Sequence, residues 1–289
     1  MRLITYACGA ELGVGVMVSG REDAFAAVPG LEMLELIRLG EAGLDRAREA
    51  LAAGAWRDLS TVTLRAPIPE PRRNIFCLGW NYAEHSRETA HLLGKERQLP
   101  DRPVFFTKAT TTVNGPRGDI PVDPWVSDEN DWEVELGVIV GPGGKNIPRE
   151  RAMEHVFGYT VVNDVSARDV QGAHGKQFFK GKSLDGYCPM GPWIATRDEV
   201  PDPHDLVLRC RVNGVLKQEG STRDLIFDIP AILEWLSLGL TLLPGDIIAT
   251  GTPSGVGFAR TPPEFLRPGD VVACEVEGIG LIQNRIVAV

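Results

Sequence analysis

Apolar positions in the first 70 or so residues change period twice. Residues 2–6 and 12–18 read as short strands around a turn. LEMLELIRLG and EAGLDRAREALAAG instead carry helical periodicity, and each ends in Gly, a usual C-terminal stop. Residues 61–65 alternate like a strand, and the Pro-rich stretch APIPEPRR, 66–73, reads as a linker. This pattern predicts a small N-terminal α/β domain over 1–70 and a second domain over 71–289.

Beyond the linker, strand-like runs dominate: 74–79, 104–107, 132–140, 158–165, 206–212, 246–250, 271–277 and 281–289. Helical patterns are few, at 81–93 and 229–238. Turn signals such as GPGG, VNG, PGD and EGIG punctuate the strands. Strict strand–helix alternation is missing, so a doubly wound sheet is not expected. The fold class expected is α+β, mostly β.

Composition narrows the function. Of 289 residues, 43% are hydrophobic and 24% charged, which suits a folded globular chain rather than a disordered one. The formal charge is -9 and no basic stripe is present, which argues against nucleic acid as a partner. No window approaches the roughly 18 apolar residues of a membrane span. The segment MRLITYACGAELGVGVMV lacks the pattern of a secretory signal, so a cytoplasmic location is expected. The five cysteines are odd in number, widely spaced and without CxxC; they are expected to be small buried hydrophobes. GxGxxG, GxxxxGK[ST] and GxSxG are also missing, which removes support for nucleotide cofactors and for a serine elbow.

Four segments carry candidate chemistry. In DWEVELGVIVG, strand alternation puts Glu133 and Glu135 on one side, and GYTVVND delivers Asp164 at the end of another strand. Three carboxylates from two strands form a hard oxygen site that suits Mg²⁺ or Mn²⁺ better than zinc. From spacing alone a solvated sheet face is the commoner case, but the hydrophobic strands imply burial, and a buried acid needs a partner. In GWNYAEHSRE, His85 and Glu88 lie three apart on a helix and so share a face; a carboxylate-held imidazole is a general base, although an exposed helical pair reads the same way. Lys182, in the turn-rich KGKSLDG, could stabilise an enolate or be a solvated loop lysine. PGDIIATGTPSGVG runs from a strand into a Gly/Thr/Ser loop whose amides could bind an anion, or into a plain turn.

Taken in order, CLGWNYAEHSRE, FFTKATTTVNGP, DWEVELGVIVG, VFGYTVVNDVSARDVQ, KGKSLDGYCPMGPWI, VNGVLKQ, TLLPGDIIATGTPSGVG and PGDVVACEVEGIGLIQN resemble the fumarylacetoacetate hydrolase family over residues 74–289. The resemblance implies a mixed β-sandwich roll with a small N-terminal domain, a homodimer, and Mg²⁺ or Mn²⁺ held by Glu133, Glu135 and Asp164. It implies catalytic roles for His85 and Glu88 on a mobile lid and for Lys182. It assigns Arg168, Gln171 and Thr252 to the substrate pocket; Lys108, in the FxK segment, is placed with them. The additional upstream aspartate of the large eukaryotic hydrolase has no counterpart in the GWNY region, so a three-carboxylate site is expected. The lid is expected around 89–103.

Such a site would chelate a 2-oxo acid and stabilise its enolate. The expected activity is C–C hydrolysis of a 2,4-dioxo acid of the acylpyruvate or fumarylpyruvate type, as in aromatic catabolism. Oxaloacetate-type decarboxylation and 2-hydroxydienoate isomerisation use the same parts, and a non-catalytic metabolite binder is a third reading. Keeping both His85 and Glu88 favours hydrolysis, because a water activator has been retained.

Overall fold

In the computed structural model, which describes residues 1–92, 99–175 and 177–289, one large twelve-stranded sheet runs through the molecule. Its strand order is Trp56–Asp58, Arg21–Val28, Glu11–Val18, Arg2–Cys8, Cys188–Thr196, Val156–Asn163, Val134–Val140, Ile247–Ala249, Ile75–Gly79 and Val104–Lys108, with two short strands joined at its sides. The N-terminal strands therefore extend the same sheet, through Arg2↔Ala195 and Leu3↔Ile194. Strands Arg21–Val28 and Trp56–Asp58 were not expected from the sequence. REDAFAAV is three charged residues followed by a short apolar run with no alternation, and WRD is too short to show a period.

A second sheet of five strands, in the order Val215–Ser221, Val207–Val212, Val271–Val276, Gly280–Ala288 and Ile120–Val122, packs on the first. Val134, Leu136, Val138 and Val161 of the large sheet share one apolar core with Leu208, Val272, Val276 and Ile282 of the small one. The opposite face of the large sheet, with Val162, Ile194 and Ile247, packs against Met33, Leu36, Ile37 and Ala47 of helices Met33–Leu39 and Glu41–Ala52. Both faces are thus covered, and the strands Val134–Val140 and Val156–Asn163 are buried along their whole length. That explains why they read as continuous apolar runs.

Several boundaries move. The helix expected at 81–93 spans Ala83–Leu92, because Asn81 is pinned outside it: its Nδ2 donates to Thr250 O at 2.8 Å and Phe227 O at 3.0 Å. Lys182, expected in a loop, ends a five-residue helix, Phe178–Lys182. All five cysteines are free; Cys8 is exposed, contrary to expectation, since it lies at the turn end of its strand, and the other four are buried. Among the described residues no helix is long and apolar enough to cross a membrane. Of the expected lid stretch, residues 93–98 lie outside the described residues.

Candidate active site

The carboxylates arise where the two central strands meet. Val134 pairs with Asn163, the Asp164 amide donates to Glu133 O at 2.9 Å, and the Asn163 side chain accepts from the Glu133 amide at 3.1 Å. This extension of the ladder sets Glu133 beside Asp164. Strand alternation adds Glu135 on the same side, pointing away from the inter-sheet core that Val134 and Leu136 enter. Carboxylate oxygens of Glu133, Glu135 and Asp164 lie within 4.8 Å of one another, and all three residues are buried.

Three cations are threaded among them. Lys182 Nζ lies 2.6 Å from Glu133 Oε2 and 2.8 Å from Asp164 Oδ2. Lys108, with no exposed surface, donates to Asp164 Oδ1 at 2.6 Å and to Val165 O at 3.1 Å. Arg168 reaches Glu133 Oε1 at 2.6 Å and Asp131 Oδ2 at 2.9 Å. Burial alone would raise the Glu133 carboxyl, but Lys182 and Arg168 override it and hold it at about 2. Burial pushes Glu135 well above the usual carboxylate range, and Asp164 and Glu133 push it further. Its side chain accepts the Gly251 amide at 2.7 Å and has no ion-pair partner among the described residues.

Counting the buried charges, Asp131, Glu133, Glu135 and Asp164 face Lys108, Arg168 and Lys182, four against three. The surplus sits on Glu135. A hard divalent cation bound by Glu133, Glu135 and Asp164 relieves it and leaves the cluster net positive, ready for an anionic ligand. The donor set fits such an ion. Asp131 is not a fourth ligand, because its oxygens are filled by the amides of Trp132, Gly257 and Phe258 and by Arg168.

His85 and Glu88 form the expected pair, with Nδ1 and Oε1 2.8 Å apart. The helical spacing holds, but the exposed alternative does not: His85 is 6% exposed. Glu88 is held from the other side by the Gly255 amide, at 3.0 and 3.2 Å. The Gly/Thr/Ser loop therefore does bind anions, but they belong to the protein: Gly251 serves Glu135, Gly255 serves Glu88, and Gly257 and Phe258 serve Asp131. Gly255 has φ +101, and a Cβ there would lie 2.2 Å from Lys217 O, so glycine is required. Gly181 plays a similar part beneath Lys182: a Cβ would meet Ala167 O at 2.6 Å and Gln171 N at 2.7 Å.

Two residues assigned to the pocket are engaged with the protein. The Thr252 hydroxyl donates to Val134 O at 2.9 Å and accepts from Gln218 Nε2 at 2.8 Å, which uses its only donor. Lys108 lies behind Asp164 and neutralises it there. Gln171 sits one helical turn from Arg168, 3.4 Å from its Nη1. Asp131 and Gln218 escaped sequence reasoning. Asp131 had a signal, since the alternation that pairs Glu133 with Glu135 places it two residues earlier on the same side; Gln218, between Lys217 and Glu219, had none.

Residues 74–287 match the fumarylacetoacetate (FAA) hydrolase C-terminal family. The chain belongs to the fumarylacetoacetate hydrolase family. The family's members differ in reaction. Over 228 residues, 79% of this chain and 74% of the relative, it is 49% identical to the oxaloacetate tautomerase YisK of Bacillus subtilis. A fumarylacetoacetate hydrolase of Exiguobacterium antarcticum superposes over 100% of both chains with TM-score 0.85 and 39% identity. A maleylpyruvate hydrolase of Sphingobium sp. SYK-6, solved with manganese(II) and pyruvate, covers 100% of this chain and 99% of its own at TM-score 0.79 and 32% identity. The mostly β family fold is therefore established for this chain.

Proposed function

We propose that this chain is a divalent-metal-dependent enzyme that interconverts the keto and enol forms of oxaloacetate or a similar 2-oxo acid. The observation that carries the reading is one loop that ties the His85–Glu88 pair to the buried three-carboxylate cluster crossed by Lys182: its Gly251 amide holds Glu135 and its Gly255 amide holds Glu88. The similarity to an oxaloacetate tautomerase at 49% identity supports it.

A divalent ion held by Glu133, Glu135 and Asp164 would supply Lewis acidity toward the 2-oxo group and its carboxylate. The rest falls to the protein. Glu88 holds His85 Nδ1, so the other ring nitrogen, Nε2, takes the proton from C3. The electron pair of that C–H bond forms the C2=C3 double bond as the carbonyl π pair moves to the 2-oxo oxygen, where Lys182 opposes the developing charge. Return of the proton from Nε2 to that oxygen completes the enol, and the reverse sequence gives back the ketone. No water attacks, so a buried site suffices.

A second reading, hydrolysis of an acylpyruvate, is supported by the similarity to the two hydrolases. It asks the same His85–Glu88 pair to activate water. The two are separated by following the enol absorbance of oxaloacetate and, in parallel, pyruvate release from acetylpyruvate, with Mg²⁺ and with Mn²⁺. Loss of enol absorbance well ahead of any pyruvate release is expected. Rapid acetylpyruvate cleavage without tautomerisation installs the second reading; neither activity with either metal overturns both.

A further inference from the structure

We propose that Asp131 is a positioning residue that turns Arg168 so that one guanidinium nitrogen, Nη1, faces the substrate carboxylate. The inference rests on the reading of the site as one for 2-oxo acids. Arginine offers five N–H donors in a rigid plane, so whichever edge the protein takes determines which edge a ligand can have. Asp131 Oδ2 takes the Nε edge, with Nε and Nη2 each 2.9 Å away, and Glu133 Oε1 takes Nη2 at 2.6 Å. Among the described residues Nη1 has one hydrogen-bond partner, Gln171 Oε1 at 3.4 Å.

Asp131 is itself immobilised. Its Oδ1 accepts the amides of Trp132 at 2.8 Å and Gly257 at 2.6 Å, and its Oδ2 accepts the Phe258 amide at 3.1 Å. The Phe258 ring then lies against the guanidinium, 4.3 Å from its centre. Five donors converge on one fully buried carboxylate, and the residue they fix is, among the described residues of the site, the one guanidinium that could bind a carboxylate side-on. A carboxylate needed only to balance charge would not require an amide nest, an aromatic lid and the arginine edge together.

The test uses oxalate, whose planar pair of carboxylates imitates the carboxylate and enolate oxygen of a 2-oxo acid. Oxalate affinity is measured by calorimetry on the full chain at saturating Mg²⁺, for wild type, Asp131→Asn, Arg168→Met and the double variant. Asp131→Asn is expected to weaken oxalate about tenfold or more, as losing the orientation of a charge-assisted hydrogen bond does. The double variant should bind no more weakly than Arg168→Met alone, because Asp131 acts through Arg168. In turnover, KM should rise more than kcat falls. Unchanged oxalate affinity in Asp131→Asn, or penalties that add in the double variant, overturns the proposal while leaving the site reading intact. If wild type binds no oxalate, both fall together. If Asp131→Asn does not fold, Arg168→Lys decides: lysine keeps the charge but has no second edge, so affinity within about twofold of wild type overturns the proposal.

Discussion

The carboxylate cluster and the His85–Glu88 helix share one loop but are built differently. Glu133, Glu135 and Asp164 grow from buried central strands, and their positions follow from ladder register and three buried cations. His85 and Glu88 ride on a short helix, Ala83–Leu92, that docks on the opposite loop through the Gly255 amide and an exposed Ser254–Glu84 contact at 3.4 Å. The first region is fixed by charge and backbone together; in the second, Glu88 is held by the Gly255 amide of a separate loop. Electrostatic preorganisation needs rigidity, whereas a group that must admit substrate needs a reversible seat. Perturbing each region in turn should therefore give different signatures.

The largest effect is expected from stripping the rigid region. Chelation should abolish turnover and Mg²⁺ or Mn²⁺ restore it, and Glu135→Ala should lose metal, by elemental analysis, while keeping its circular dichroism. Full activity in excess EDTA would refute metal dependence. Lys182→Met should lower kcat roughly a hundredfold or more, because it removes the charge aimed at the enolate oxygen. A rate within a factor of about two of wild type would place Lys182 outside the chemistry.

Next comes the helical pair. His85→Ala should lower kcat by roughly a hundredfold, within the range of general-base effects, with KM changed little. A retained rate for oxaloacetate enolisation would remove His85 from the proton path. Gly255→Ala is expected to be milder, roughly tenfold in kcat, because it forces a Cβ against Lys217 O and displaces the amide that holds Glu88 without touching the imidazole. If it instead reduces metal content, the two regions are less separable than their construction suggests.

The two regions also differed in how far they could be read from the sequence. The carboxylates were legible because strand parity and apolar flanks both encode position and burial. The helical pair was legible because three-residue spacing is local. What stayed hidden depends on contacts far apart in the chain. Lys182 looked like a loop residue because five residues are too few for a helical period, and it is buried among Glu133, Asp164 and Phe106, all distant in the chain. The Gly251–Phe258 amides were legible as an anion nest, but not that the anions would be Glu88, Asp131 and Glu135, which lie more than a hundred residues away. Continuation of the large sheet into residues 2–58 is likewise invisible to periodicity, because pairing partners carry no mark in either strand.

The smallest expected effect is on stability without metal, and its sign separates two neighbouring glutamates. Glu133 is held at about 2, below its ordinary 4.5, by Lys182 and Arg168 against the effect of burial. Its contribution is therefore fully present above pH 4.5 and lost as pH falls toward about 2. Glu135 is shifted the other way, by burial and by the charges of Asp164 and Glu133. A raised carboxyl favours the folded state while protonated, and that advantage is lost as pH rises above the unfolded value toward the folded one. In EDTA at neutral pH, Glu135→Gln should then melt higher than wild type, by roughly 2 °C if the relief is near 1 kcal/mol. Glu133→Gln should melt lower, because Lys182 and Arg168 each lose a charged partner. Adding Mg²⁺ should reverse the ranking of wild type and Glu135→Gln, since only wild type gains the stabilisation of a bound ligand. A Glu135→Gln protein that melts below wild type in EDTA would show that the surplus charge lies elsewhere in the cluster.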